Sequence, residues 1–217
     1  MEKIHFSMKS YSLFFYLFTL LLLSIDQYPK EVVSLFDGFT FNGWEGDTLK
    51  TWRIEDNMII GGSLRKNVPE NNFLCTSRSY GNFILKFKIR LVGQEGFINA
   101  GLQFRSVRAT NPSNEMIGYQ ADWGNGYWAS LYDESRRNKT LESPDSAKVL
   151  TWINQNNWND YVIRAENNRI RLFINGHKAV DYSESDASIP LSGLIGLQIH
   201  GGGKAEVYFK ELYIKEL

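Results

Sequence analysis

From Val33 onward, apolar residues recur at every second position rather than at helical spacing. Leu85, Phe87, Ile89 and Leu91 alternate with Lys86, Lys88 and Arg90, and Ile170, Leu172 and Ile174 are spaced in the same way. Side chains along a strand point alternately to opposite faces, so these runs predict strands with one buried face. The turn residues agree. Asn175-Gly176, between residues 169–174 and 177–181, has the sequence of a type I′ hairpin, and Asn167-Asn168 and Asp56-Asn57 supply similar turns. Over residues 207–217 the alternation changes parity between Phe209 and Leu212, which predicts a β-bulge near Lys210-Glu211. Ten or more short strands of this kind predict an all-β fold, a two-sheet antiparallel sandwich of jelly-roll type, with a barrel as the alternative.

One stretch, residues 118–134 (GYQADWGNGYWASLYDE), stands out. At period two, Gly118, Gln120 and Asp122 share one face, while Tyr119, Ala121 and Trp123 share the other. Gly101-Leu102-Gln103-Phe104-Arg105 and Gly196-Leu197-Gln198-Ile199-His200 repeat the order glycine, apolar, glutamine, apolar, ionisable residue. If the three strands are neighbours, they lay a polar floor outside the core, with glycines leaving room above it and aromatic residues nearby. A single strand of this type is ordinarily the wet face of an antiparallel sheet. Three matching strands favour a binding site. A three-residue loop Gly124-Asn125-Gly126 would set Asp122 opposite Trp128, Gln120 opposite Ser130 and Gly118 opposite Tyr132, keeping the faces distinct; a two-residue loop would mix them. In the preferred register Glu134 lies six residues beyond the position opposite Asp122, roughly 20 Å along the strand, and belongs to the rim.

Two long connections interrupt the rhythm, residues 108–115 and 134–157. The second carries Glu134, Arg136, Arg137, Lys139, Glu142 and Asp145. Connections of this length are either functional or solvated excursions. At the N-terminus, Lys3 and Lys9 precede an apolar run over residues 13–23, too short to span a bilayer comfortably. Residues 1–25 therefore read as a signal peptide and 29–217 as one sandwich domain, with an uncleaved anchor as the alternative and no other membrane contact expected. Lys+Arg and Asp+Glu both number 24, without a basic block, so nucleic acid is not an expected partner. The single cysteine, Cys75, reads as a small buried hydrophobe. With three histidines and no His/Cys cluster, a structural zinc site is not expected.

Ser34-Leu35-Phe36-Asp37-Gly38, then Asn42-Gly43-Trp44, Trp52, the Gly101–Ser106 run, residues 118–137, Trp158-Asn159-Asp160-Tyr161, Asn168–Asn175 and the closing stretches 196–201 and 210–217 together resemble the 3-keto-disaccharide hydrolase domain family. The likeness covers about residues 33–217. It implies a concanavalin A-like sandwich, exported by a bacterium to the periplasm or beyond, acting on sugars or glycosides. A reaction attributed to the family is cleavage of glycosides already oxidised to a ketone at C3. That ketone acidifies the C2 proton and leaves the C1 substituent β to the carbonyl, so a base can expel it and water can add afterwards. The chemistry needs a base, a group to hold the enolate oxygen and a proton donor, and a divalent metal ion can fill the second role.

Mapped by strand parity, Arg105 would hold an oxyanion or a sugar hydroxyl through its planar fork. Asp122 and His200 would be acid and base, or ligands of at most one weakly held divalent ion completed by substrate oxygens. Gln103, Gln120 and Gln198 would orient hydroxyls. Tyr132, Trp128 or Trp123 would stack on a ring, and Glu134, Arg136 and Arg137 would close over it. The competing reading is a lectin-like carbohydrate-binding module, since one fold carries both. A third reading, direct hydrolysis by two carboxylates, lacks a second carboxylate in the preferred register.

Overall fold

The alternation becomes fifteen strands in the computed structural model, which describes Met1 and residues 31–217; the expected signal peptide lies outside the described residues. In chain order these are β1 (Val33–Ser34), β2 (Trp44–Glu45), β3 (Trp52–Glu55), β4 (Met58–Ser63), β5 (Asn72–Thr76), β6 (Phe83–Gly96), β7 (Asn99–Arg108), β8 (Met116–Gly124), β9 (Leu131–Glu134), β10 (Lys139–Glu142), β11 (Asn159–Glu166), β12 (Arg169–Ile174), β13 (His177–Ser183), β14 (Leu194–Ile199) and β15 (Gly203–Glu216). One helix among the described residues, α1 (Ser146–Trp152), lies between β10 and β11. No helix of the described residues is long and apolar enough to cross a membrane.

The strands form two antiparallel sheets. The first runs β13-β12-β11-β6-β15-β4-β3, with β1 also on β15, and the second runs β10-β9-β8-β7-β14-β5-β2. Leu85, Phe87, Ile89, Ile163, Val207 and Phe209 of the first sheet share one core cluster with Leu102, Phe104, Ala121, Trp123 and Leu197 of the second. Each of the larger aliphatic and phenylalanine side chains contributes about 1.5–3 kcal/mol by leaving water, so the two inner faces hold the sandwich together.

The turn signals act where expected. Asn175 and Gly176 take φ of 48° and 82°, and Asp56 and Asn57 take 50° and 58°, the left-handed pairs of a type I′ turn. The register of β15 against β6 shifts between Lys210 and Tyr213, with Glu211 at φ 54°, which is the expected bulge. The connection 134–157 differs from the expectation, because it carries the edge strand β10 and the helix α1. Asp145 caps that helix by accepting from the Lys148 N–H at 2.8 Å, and only Val149 is buried, so seven residues left no helical period to read.

Candidate active site

Strands β8, β7 and β14 are neighbours, so the three repeated runs do meet. Gln103 pairs with Gln120 on one side and Gly196 on the other, and Gly101 pairs with Asp122 and Gln198. Their intervening partners Leu102, Ala121 and Leu197 are in the core, so the polar set points outward, away from the first sheet. His200 continues that parity just past β14, where its N–H donates to the Asn99 carbonyl at 3.1 Å.

The floor is covered rather than wet: Gln103 and Gln198 are 0% exposed, Gln120 2% and Asp122 4%. The glycines do not hold open space for a ligand. A Cβ on Gly196 would lie 2.7 Å from Met116 Sδ, and one on Gly101 would lie 3.0 Å from Gln120 Cγ, so protein side chains occupy that room. Ser106 Oγ donates to Gln103 Oε1 at 2.8 Å, and Gln103 Nε2 donates to Gln120 Oε1 at 2.9 Å. This relay fixes the Gln120 amide with its NH2 end toward Asp122, to which it hydrogen-bonds. Gln103 therefore orients Gln120, not a hydroxyl.

Arg105 is a correction. The register of β7 on β8 shifts between Phe104 and Val107, Arg105 sits at φ 47°, and this bulge turns its side chain off the floor. The guanidinium donates to the carbonyls of Gly81 (3.0 Å) and Asn167 (2.6 Å) and to Asn82 Oδ1 (3.0 Å). Burial lowers its pKa to about 10, and it ties the second sheet to turns of the first instead of holding an oxyanion.

The hairpin register is a second correction. Asp122 exchanges backbone hydrogen bonds across the hairpin with Ser130 and Ala129, Gln120 pairs with Tyr132, and Gly118 pairs with Glu134. The strands are thus two residues out of the expected register, with parity preserved. The connecting loop is longer than three residues because Tyr127 N–H bonds Gly124 O, Ser130 N–H bonds Tyr127 O, and Ala129 adopts φ 56°. Glu134 moves two residues closer to Asp122, onto the floor face with Tyr132.

Trp128, Arg136 and Arg137 do not reach the floor. Trp128 packs on the core edge-to-face with Trp123 (centroids 4.8 Å, 74°), so neither indole is free to stack on a sugar. The turn after Glu134 folds both arginines to the inner side of β9, where Asp133 is 0% exposed. Arg136 pairs with Asp133 at 2.7 Å and lies over the Tyr119 ring, while Arg137 bridges Asp133 and Glu184, the latter at 2.6 Å. Burial opposes ionisation of Glu184, yet hydrogen bonds from Arg137 and Tyr119 bring its carboxyl to about 2. This cluster locks the turn that presents Glu134.

What gathers above the floor is a cavity of about 120 Å³ lined by Phe97, Asn99, Gln120, Asp122, Tyr127, Tyr132, Glu134 and His200. Asp122 Oδ1 accepts from Asn99 Nδ2 and from the Trp123 N–H, both at 2.9 Å. Burial pushes the Asp122 carboxyl up to about 7 against those donors. Glu134 also rises to about 7, first through burial and then through the nearby carboxyls of Glu115 and Asp122. His200 Nδ1 lies 2.7 Å from the Gly201 carbonyl, which can only accept, so Nδ1 carries a proton and the neutral form of the ring would have its acceptor at Nε2. The His200 ring is held edge-on by Phe97 at 4.6 Å.

Sequence reasoning missed Asn99, Phe97 and Glu115. Glu115 belongs to the long 108–115 connection, which was the available signal. Beyond the β7 bulge the strands pair again, Val107 with Ile117 and Arg108 with Met116, and the tip closes with Ala109 N–H on Glu115 O. This extension lies back over β14 and β5. Met116 Sδ sits 3.3 Å from Cys75 Sγ, Arg108 donates to the Glu45 carbonyl, and Glu115 Oε1 accepts from Asn71 Nδ2 at 2.8 Å. Burial raises the Glu115 carboxyl, while Asn71 and His200 oppose the rise. Under this roof Cys75 is buried, with its thiol pushed up to about 11.

No group of three or more His, Cys, Asp or Glu among the described residues could hold a metal ion, so the donor set does not fit a resident metal. A larger hollow of about 650 Å³, lined by Asp47, Lys50, Lys66 and Glu70 among others, lies beside the β4–β5 connection. It has neither of the carboxyls that titrate near neutrality.

The fold recurs in known structures. A glycosyl hydrolase described as putative, from Parabacteroides distasonis, aligns with a TM-score of 0.64 at 21% identity, over 86% of this chain and 94% of that one. The carbohydrate-binding module CBM66 from Bacillus subtilis aligns at 0.60 and 17% identity, over 80% and 96%. The Emp47p carbohydrate recognition domain aligns at 0.55 and 14%, over 89% and 99%. At such identities the likeness is one of fold. No curated protein matches the chain. Residues 31–215 match the model of one family, and the chain therefore belongs to the 3-keto-alpha-glucoside-1,2-lyase-like domain family.

Proposed function

We propose that this protein is an exported enzyme that cleaves glycosides bearing a ketone at C3, by eliminating the C1 substituent. The observation that carries this reading is the meeting of Asp122, Glu134 and His200 on one small cavity, with both carboxyls near 7. Groups that take and give protons at neutral pH serve catalysis, whereas a binding module has no use for them. The two carboxyls differ in their surroundings. Asp122 is met by donors from Asn99, Trp123 and Gln120, which favour its carboxylate and suit it to take the C2 proton. Glu134 sits among other carboxyls, which favours its acid form and suits it to protonate the departing oxygen.

The step balances as an elimination. The C2–H electrons form the enolate, its collapse makes the C1–C2 double bond and restores the C3 carbonyl, and the C1–O bond breaks as Glu134 gives its proton. With Arg105 elsewhere, the enolate oxygen needs other donors, and Tyr132 and Tyr127, whose side chains carry hydroxyls, are among the residues that line the cavity. His200, with Nδ1 donating to Gly201, has Nε2 left to assist the later addition of water in its neutral form. A divalent ion would have only Asp122 or His200 with substrate oxygens, and no step is assigned to it.

The competing reading is a carbohydrate-binding module, supported by the named folds of CBM66 and the Emp47p domain. Incubation with 3-keto-glycosides and with their unoxidised parents separates the cases. Turnover of the keto compounds alone supports elimination. Turnover of the parents would assign the Asp122–Glu134 pair to direct hydrolysis, and binding with no turnover would assign the module.

A further inference from the structure

The hollow beside the β4–β5 connection has the size of a ligand site. Its volume of about 650 Å³ lies within the roughly 300–1,000 Å³ that pockets for small molecules span. Both of its walls are tied in place. On one side Asp47 holds its own turn: its carboxylate accepts from the Lys50 N–H at 3.2 Å and the Thr51 hydroxyl at 2.8 Å, and its carbonyl accepts from the Trp52 N–H at 2.9 Å. On the other side Ser63 Oγ accepts from the Lys66 N–H at 3.3 Å. Val68, 4% exposed, anchors the connection by donating to the Gly203 carbonyl and accepting from the Gly202 N–H.

These ties decide which groups are left for a ligand. Both Asp47 oxygens are taken up by the turn, and neither the Lys50 nor the Lys66 ammonium is in an ion pair among the described residues. Asn72 Oδ1 accepts from the Trp52 indole N–H at 2.7 Å, which leaves the NH2 end of that amide as a donor. Glu70 is the lining carboxylate outside a turn of its own, and Leu49, 93% exposed, and Pro69 add apolar surface. Asn71, between Glu70 and Asn72, turns the other way and accepts from the Gly201 N–H at 3.0 Å, next to His200. The hollow and the cavity therefore lie on opposite sides of one segment.

From this arrangement we infer that the hollow is a second ligand site, separate from the cavity, that takes a uronic acid unit. Lys50 and Lys66, one from each wall, receive the carboxylate. The Asn72 amide and the Glu70 carboxylate meet ring hydroxyls as donor and acceptor, and the C–H face of the ring lies against Leu49 and Pro69. Inorganic phosphate would engage the lysines and leave the rest of the wall unused. A neutral sugar would leave both ammoniums without a partner. The site makes no use of Asp122, Glu134 or His200, so it stands independently of the proposed elimination.

Titration of the full chain with sodium glucuronate, glucose and inorganic phosphate tests the assignment. Binding is followed at the Trp52 indole N–H resonance, which reports on Asn72 through their hydrogen bond. Glucuronate should move that resonance and bind about 10-fold more tightly than glucose or phosphate. Its affinity should fall as salt is added, because both lysines are exposed. Replacing both, Lys50→Gln with Lys66→Gln, should weaken glucuronate about 10-fold, to the level of glucose, with the melting temperature unchanged. Equal affinity for glucose would show that the ammoniums play no part, and equal affinity for phosphate would show an anion site without sugar recognition; either result overturns the uronic acid. No binding of glucuronate, binding that leaves the Trp52 resonance in place, or equal binding by the doubly substituted chain would remove the hollow as its site.

Discussion

Asp122 and Glu134 are held where their ionised forms are disfavoured, and this has consequences for stability and for turnover. The Asp122 carboxyl ordinarily titrates at 3.8 and here at about 7. Between about pH 4 and 7 the folded protein keeps a proton that the unfolded chain has released, so this group makes stability fall as pH rises through that window and level off above it. Glu134, raised from 4.5 to about 7, acts in the same direction. Asp122→Asn cannot ionise, so its melting temperature relative to wild type should climb from pH 4 to 7 and stay higher at pH 8. A constant difference across that range would contradict the burial argument. The same variant should lose about 10² to 10⁴ in turnover, as should Glu134→Gln and His200→Ala, because each removes a proton-transfer group. Full turnover by Glu134→Gln with His200→Ala inactive would return Glu134 to the rim. Asp122, Gln120 and His200 could be placed from sequence because β alternation fixes parity without any tertiary knowledge. Arg105 could not, because one bulged residue reverses that parity and no residue type announces it.

At the level of elements, the hairpin β8–β9 decides whether the two carboxyls can cooperate, and its register rests on Gly118. Gly118 has φ 146° opposite Glu134, and a Cβ there would lie 2.2 Å from Ser106 Oγ and 2.8 Å from Ser106 Cα. Because the second clash is with backbone, side-chain rotation cannot relieve it. Gly118→Ala should therefore cost about 1–3 kcal/mol, seen in denaturant or thermal melts, and should lower turnover by moving Glu134. A variant as stable and active as wild type would show that the β7 bulge yields freely. The hairpin was visible in the sequence from its Asn-Gly turn, but its loop length was not. The left-handed conformation of Ala129, which lengthens the loop, is one that alanine seldom adopts. Arg136 and Arg137 were misplaced for a related reason, since a tight turn after Glu134 carries them to the inner face, where the buried Asp133 holds them.

For the molecule as a whole, the sandwich was legible because a dozen alternating runs with turn residues between them leave few alternatives. The strand order was not, because β6 beside β15 and β7 beside β14 are pairings between distant segments that local pattern does not encode. That order puts the site on the outer face of the second sheet instead of between the sheets. It also spreads the acidic groups: Asp122, Glu134 and Glu115 come from different strands and the roof, and no three His, Cys, Asp or Glu among the described residues form a set that could hold a metal ion. A preformed cage would bind metal in the folded state alone and so stabilise it. Exhaustive chelation in the absence of substrate should therefore leave the melting temperature unchanged. If chelation lowered turnover of the 3-keto-glycoside while the melting temperature held, the ion would be one completed by substrate oxygens on Asp122 or His200. A melting temperature that drops on chelation and recovers with added divalent ion would instead require a ligand set that this arrangement of strands does not provide.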